Sequence, residues 1–219
     1  MWQKLVGIAL NRTHNIRNTT ASVMSRTKRA KMKQAATLTA EQLQQVLKYC
    51  EQTRAPLRNQ TILLLTHWAG LRIGEVAALR WSDVVAADGT IRTEIRLSSA
   101  QTKGSRGGIV LIPDRLRHAL AVYALSVPRR QPNAPLFATQ RSAGFTANTL
   151  THIVNSLYRG AGIHGATSHS GRRSFITNLA ERGVSARVLM SLCRHRNLST
   201  TQRYIDIKPS MLRAAVELV

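Results

Sequence analysis

The run ILLLTHWAG, residues 62–70, is apolar on every side of a helix. A helix without a polar face cannot lie on a surface, so other elements have to enclose it. Pro56 pre-sets its first turn and Gly70 ends it. Its neighbours supply the enclosure. The box T-A-E-Q at residues 39–42 caps a preceding helix in which Leu43, Val46 and Leu47 recur at helical spacing up to about Glu51. GLRIGEVAAL and WSDV give short helices before a polar turn at Asp88-Gly89.

The periodicity then changes. TIRTEIRLS sets Ile91, Ile95 and Leu97 against Arg92, Glu94 and Arg96, the pattern of a half-exposed strand, and Thr93 shares the apolar set. QTKGSRGG is a Gly-rich turn and IVLIP a second strand closed by a proline, so the pair predicts a β-hairpin with Lys103 near its tip. A helix is expected from about Asp114 to Leu125, then a loop, VPRRQPNAP, and an extended segment with a turn, LFATQRSAGF. The last third is read as helical again: TANTLTHIVNSLYRGAG, GRRSFITNLAERG, SARVLMSLC, LSTTQRYID and SMLRAAVELV, with glycines and Pro209 as punctuation. The expected fold class is mainly α (α+β), a helical domain with one small antiparallel sheet.

Charge narrows the function. Lys and Arg number 32 against 10 Asp and Glu, a formal charge of +22 on 219 residues, while 43% of the chain is hydrophobic. So large an excess needs a polyanion, and without a long apolar span the polyanion is nucleic acid rather than a bilayer. From Met1 to Thr37 there is no acidic residue, and the stretch reads as a basic arm that gains order on a phosphate backbone, with Arg26, Lys28, Arg29, Lys31 and Lys33 as its DNA contacts. Cys50 and Cys193 stand far apart and fit neither a zinc site nor a disulfide framework. A reducing compartment is expected.

Tyr204, in NLSTTQRYID, poses the chemical question. Most tyrosines of a domain this size are packing residues whose hydroxyl finds a partner. Other residues argue for a reagent. In GLRIGEVAALRWSDV, Arg72 opens a short helix and Glu75 follows at i+3, close enough to hold the guanidinium in one rotamer. In SHSGRRSF, His169 and Arg172 share a helical face. His195 follows in CRHRNL, nine residues before Tyr204. Arginines neutralise charge on a phosphate, and tyrosine is a nucleophile that needs a base or strongly cationic surroundings. Spacing alone makes phosphoryl transfer suggestive.

The order Arg72, Lys103, His169, Arg172, His195, Tyr204 resembles the catalytic domain of the tyrosine recombinases, the phage integrase family. GLRIGEVAALRWSDV is similar to that family's first-arginine box, and HSGRRSFITNLAERGVSARVLMSLCRHRNLSTTQRYID to its second box almost from end to end. The resemblance runs from about Thr37 to Val219. It implies that Tyr204 attacks a DNA phosphodiester, forms a 3′-phosphotyrosyl link and releases a 5′-hydroxyl, so that rejoining needs no ATP. It implies that Arg72 and Arg172 clamp the non-bridging oxygens, His169 accepts the tyrosine proton, Lys103 protonates the leaving oxygen and His195 donates a hydrogen bond to the phosphate, with no metal or other cofactor. Its implied partners are double-stranded DNA, copies of the same chain forming a tetramer on two DNA sites, and accessory DNA-bending or directionality proteins. A membrane is not among them, and the implied location is cytoplasmic, in a bacterium or on a phage or other mobile element.

Two residues depart from the family pattern. Gly171 stands where a leucine is common, and Arg194 stands where a glycine is usual before the histidine. Arg194 either strains the turn that aims His195 or adds a phosphate contact. The family's separate helical core-binding domain is absent in this reading, which divides the chain into a basic arm, 1–37, and a catalytic domain, 38–219. The chain then resembles the short recombinases that consist of a catalytic domain, or it is a truncated copy. The leading reading is a site-specific recombinase for integration, excision or inversion. The alternatives are an integrase remnant that only binds DNA and a DNA-relaxing enzyme like the type IB topoisomerases.

Overall fold

In the computed structural model, which describes residues 35–102, 107–127, 131–139, 144–205 and 209–217, the first helix starts as its sequence requires. The Gln42 amide donates to the Thr39 hydroxyl at 3.2 Å, and the Thr39 N–H donates to the Gln42 side-chain oxygen at 3.0 Å. This reciprocal cap begins α1 (Ala40–Glu51). The apolar run then forms α2 (Pro56–Trp68), in which Ile62, Leu63 and Leu65 have no exposed area and even Thr66 and His67 are buried.

What encloses α2 is visible from the helices around it. Two short helices, α3 (Ile73–Ala78) and α4 (Trp81–Val84), lead into a two-stranded antiparallel sheet of β1 (Glu94–Leu97) and β2 (Gly108–Leu111), with Ile95 opposite Val110. Ile95, Leu97 and Val110 face the core, and Arg96, Ile109 and Leu111 face outward. The strand is shorter than the alternation predicts. A turn in which Ala86 donates to the Thr90 carbonyl leads into it, and the Arg92 amide is taken by the Val84 carbonyl instead of by β2.

The remaining helices are α5 (Asp114–Leu125), α6 (Ala147–Gly160), α7 (Ser170–Glu181), α8 (Ala186–Leu192), α9 (Leu198–Gln202) and α10 (Pro209–Val216). α2 packs most extensively on α7, then on α5 and α1, while α6 covers α3. Beside α5, Trp81 stacks on Tyr123 at 5.7 Å and Tyr123 meets Phe137 at 5.4 Å. One expected helix stops early: α9 ends at Gln202, Arg203 caps it, and Tyr204 follows in a turn. The turn frees the ring from helical spacing.

The α2–α7 contact explains Gly171. A Cβ at this position would stand 2.8 Å from Thr66 Cβ, collide with the Thr66 hydroxyl and come 3.1 Å from the His67 ring. Glycine inside a helix costs about 1 kcal/mol relative to alanine. Here that cost is offset by an approach of the two helices that no larger residue allows. The approach carries Arg172, the next residue, into the interior.

Candidate active site

Arg172 is the most deeply buried cation of the site, only 5% exposed. It donates through Nη1 to the Gly70 carbonyl and through Nη2 to the Cys193 carbonyl at 2.5 Å, and Nη2 also lies 3.0 Å from His195 Nε2. The helix end of α2 aims the first of these acceptors. Gly70 has φ +62, and a Cβ there would stand 2.5 Å from the Phe175 ring. Only glycine meets both demands. Burial, with Arg72 nearby, pushes the Arg172 guanidinium down to about 10, so it stays charged near neutral pH.

Arg72 precedes α3 and is held by the opposite means. Its side chain is about one-third exposed, and its Nη1 donates to Glu75 Oε1 at 2.7 Å. Glu75 is 2% exposed and its second oxygen accepts two further bonds, from the Arg72 backbone N–H at 2.8 Å and from Arg194 Nη2 at 2.6 Å. One buried carboxylate therefore anchors two guanidiniums. Arg194 thus has a partner that the sequence did not suggest. The residue has φ 53, a conformation that favours glycine, and its side chain reaches Glu75.

His195 joins this cradle to the tyrosine. Arg172 can only donate, so His195 Nε2 must accept its bond. The ring proton then sits on Nδ1 and is donated to the hydroxyl of Thr201, fully buried, at 2.9 Å. Burial first, then the charges of Arg172, Arg72 and Arg194, push His195 down to about 4 and keep it neutral. The Tyr204 ring stacks on the imidazole with centroids 5.8 Å apart, and the guanidinium of Arg173 lies 5.6 Å from its own centroid. Tyr204 is half-buried, and its carbonyl accepts the Thr177 hydroxyl at 3.2 Å.

Of the residues expected from sequence, Arg72, Glu75, Arg172, His195 and Tyr204 meet in one place. His169 occupies the N-cap position of α7 with its side chain exposed, and among the described residues none hydrogen-bonds its imidazole. Lys103 and the arm residues Arg26, Lys28, Arg29, Lys31 and Lys33 lie outside the described residues. Three contributors escaped the sequence reading: Thr201, Arg173 and the bond from Arg194 to Glu75. Arg173 was legible as the second arginine of GRRSF. Thr201 carried no such signal, because its partner is set by a turn. Among the described residues no group of His, Cys, Asp and Glu is arranged to hold a metal, and no helix is long and apolar enough to cross a membrane.

Residues 36–211 match the profile of the phage integrase family. The tyrosine recombinase XerA of Pyrococcus horikoshii is 32% identical over 168 residues, which cover 74% of this chain and 54% of that one. The crystal structure of XerA recombinase superimposes with a TM-score of 0.66 at 23% identity, over 84% of this chain and 65% of that one. A Tn1549 transposon integrase in complex with circular intermediate DNA gives 0.65 at 18% identity, over 85% and 68%. The chain spans little more than half the length of the curated relatives it matches.

Proposed function

The chain belongs to the phage integrase family, and from that premise we propose that it is a site-specific recombinase that cuts and rejoins double-stranded DNA through Tyr204. The observation that carries this reading is the single imidazole that receives Arg172 on its edge and Tyr204 on its face. A nucleophile and an anion clamp within one side chain's width suit in-line attack on a phosphodiester.

In the proposed reaction the Tyr204 oxygen attacks phosphorus, its proton passes to His169, and the bond to the 5′-oxygen breaks. Lys103 protonates that oxygen, which leaves a 3′-phosphotyrosyl link and a free 5′-hydroxyl. Attack by a 5′-hydroxyl of the partner strand reverses the step and regenerates tyrosine. Arg72 and Arg172 stabilise the charge on the non-bridging oxygens, electrostatic help worth on the order of several kcal/mol in comparable sites. For His195 to donate to the same phosphate, Arg172 has to release its Nε2 and the single ring proton has to move from Nδ1, where Thr201 accepts it, to Nε2. Binding of the phosphate, freeing of His195 and a change of its tautomer are therefore coupled.

One tyrosine cuts one strand, so exchange of both strands requires several copies, arranged in this reading as a tetramer on two sites. The exposed Leu212 and Val216 of α10 suit a contact with a neighbouring copy. The basic arm, residues 1–37, supplies further phosphate contacts. The domain division at residue 37 belongs to the same proposal.

A nicked suicide substrate built from the DNA flanking the gene tests the chemistry. The expected result is a protein–DNA adduct that survives denaturation and vanishes in Tyr204→Phe. Salt-sensitive binding without any adduct would leave a DNA-binding remnant instead, and relaxation of plasmids lacking paired sites would point to a topoisomerase-like enzyme.

A further inference from the structure

Arg194 is buried more deeply than a surface arginine has reason to be. Its side chain is 13% exposed, and its Cδ occupies the space that a Cβ on Gly108 would need. The side chain thus crosses the first residue of β2 to reach Glu75, 119 positions away in sequence. Among the described residues its Nε and Nη1 have no hydrogen-bond partner. The backbone is held at φ 53, where a side chain costs about 1 kcal/mol. Strain, desolvation and two unused donors are all unfavourable, and a glycine would avoid each of them.

The return lies in the charge balance. Around Glu75 stand Arg72, Arg172 and Arg194, three positive charges against one negative, a net +2 with His195 neutral. With glycine at 194 the balance would be +1, and the carboxylate would neutralise Arg72 alone. We propose that Arg194 is a positioning residue of the strand-cutting reaction: by sharing Glu75 with Arg72, it leaves the Arg72 guanidinium under-neutralised and available to the scissile phosphate. The role rests on the recombinase reading above. Arg194 itself need not touch the DNA.

Three substitutions separate charge from shape. Arg194→Gln keeps a donor toward Glu75 and removes the charge, Arg194→Lys keeps the charge, and Arg194→Gly removes both while suiting the backbone at φ 53. Single-turnover adduct formation should fall roughly tenfold in the Gln and Gly variants, the equivalent of about one pK unit of lost electrostatic stabilisation, and be largely restored in the Lys variant. A merely structural role is tested by a second readout, titration of the His195 ring by NMR in the protein without DNA. The charged and titratable groups facing that ring are Arg172 from α7, Arg72 ahead of α3, Arg194, and the stacked Tyr204. Loss of the Arg194 charge should move the His195 midpoint upward from about 4 and the Lys variant should leave it in place. Wild-type cleavage rates in the Gln and Gly variants, a Lys variant as slow as the Gln one, or an unmoved His195 midpoint would each overturn the proposal. An inactive wild type would count against the recombinase reading, and the titration would then show by itself whether the Arg194 charge acts on the cluster around His195.

Discussion

Arg172 and Tyr204 stand on two sides of the same imidazole and are held in opposite ways. Arg172 is locked by two backbone carbonyls and a ring nitrogen inside the core. Tyr204 sits half-buried in a turn after α9, between His195 and Arg173, with no regular element to fix it. The proposed phosphate cradle is therefore part of the folded interior, whereas the proposed nucleophile hangs at its edge. Groups that stabilise a transition state gain from being fixed in advance, since they then need no reorganisation as the reaction proceeds. A nucleophile that has to leave its ring partner, bond to phosphorus and return is better placed on a short turn.

The contrast is most exposed to failure at Arg172. Arg172→Lys offers one ammonium to three partners that need a planar fork, so at least one buried carbonyl goes unpaired. Adduct formation is expected to fall by roughly a thousandfold and the melting temperature to drop with it, both measurable on one preparation. A cradle that tolerated lysine with an unchanged melting temperature would not be part of the core.

Acid should weaken the same region next. His195 and the buried His67 are both held near about 4, His67 by burial alone. The folded state resists protons that the unfolded chain accepts from about pH 6.5 downward, so stability is fully present above that value. It is lost as pH falls from about 6.5 toward about 4. Denaturant unfolding across this window should show the decline, and His67→Leu should make it shallower. A flat profile would mean that these imidazoles are solvated.

The smallest effect is expected on the tyrosine side. Arg173→Gln removes a cation 5.6 Å from the Tyr204 ring and should slow cleavage only a few-fold, in line with a cation–π contact worth about 0.5–1 kcal/mol near the surface. The melting temperature should not change. A loss as large as that of Arg172→Lys would erase the distinction between the two sides.

Much of this was open to a reader of the sequence. The capping box at Thr39, the hairpin and the pairing of Arg72 with Glu75 follow from contacts between residues close in the chain, whose geometry the backbone dictates. The burial of residues 62–67 follows from a helix with no polar face, whichever elements enclose it. The elements differ from the sequence pattern where a turn or a packed neighbour redirects the chain. The strand beginning near Thr90 shortened because the Val84 carbonyl took the Arg92 amide, and the helix expected through Tyr204 stopped at Gln202. His169 and Arg172 do share one end of α7, yet one is exposed and the other buried, because Gly171 lets that helix close on α2 at the level of Thr66.

The order of chemical groups along the chain, the net charge that demands a polyanion and the identity of the helices are one-dimensional properties, and residue order carries them in full. The company each group keeps is not. Glu75 meets Arg194 across 119 residues and Arg172 meets Gly70 across 102. A bond between such remote groups exists only after the core has packed, because the cost of closing so long a loop is met by burial elsewhere and not by the bond itself. For that reason Arg194 read as an anomaly in the sequence and becomes, once the chain is folded, the second cation on a shared carboxylate.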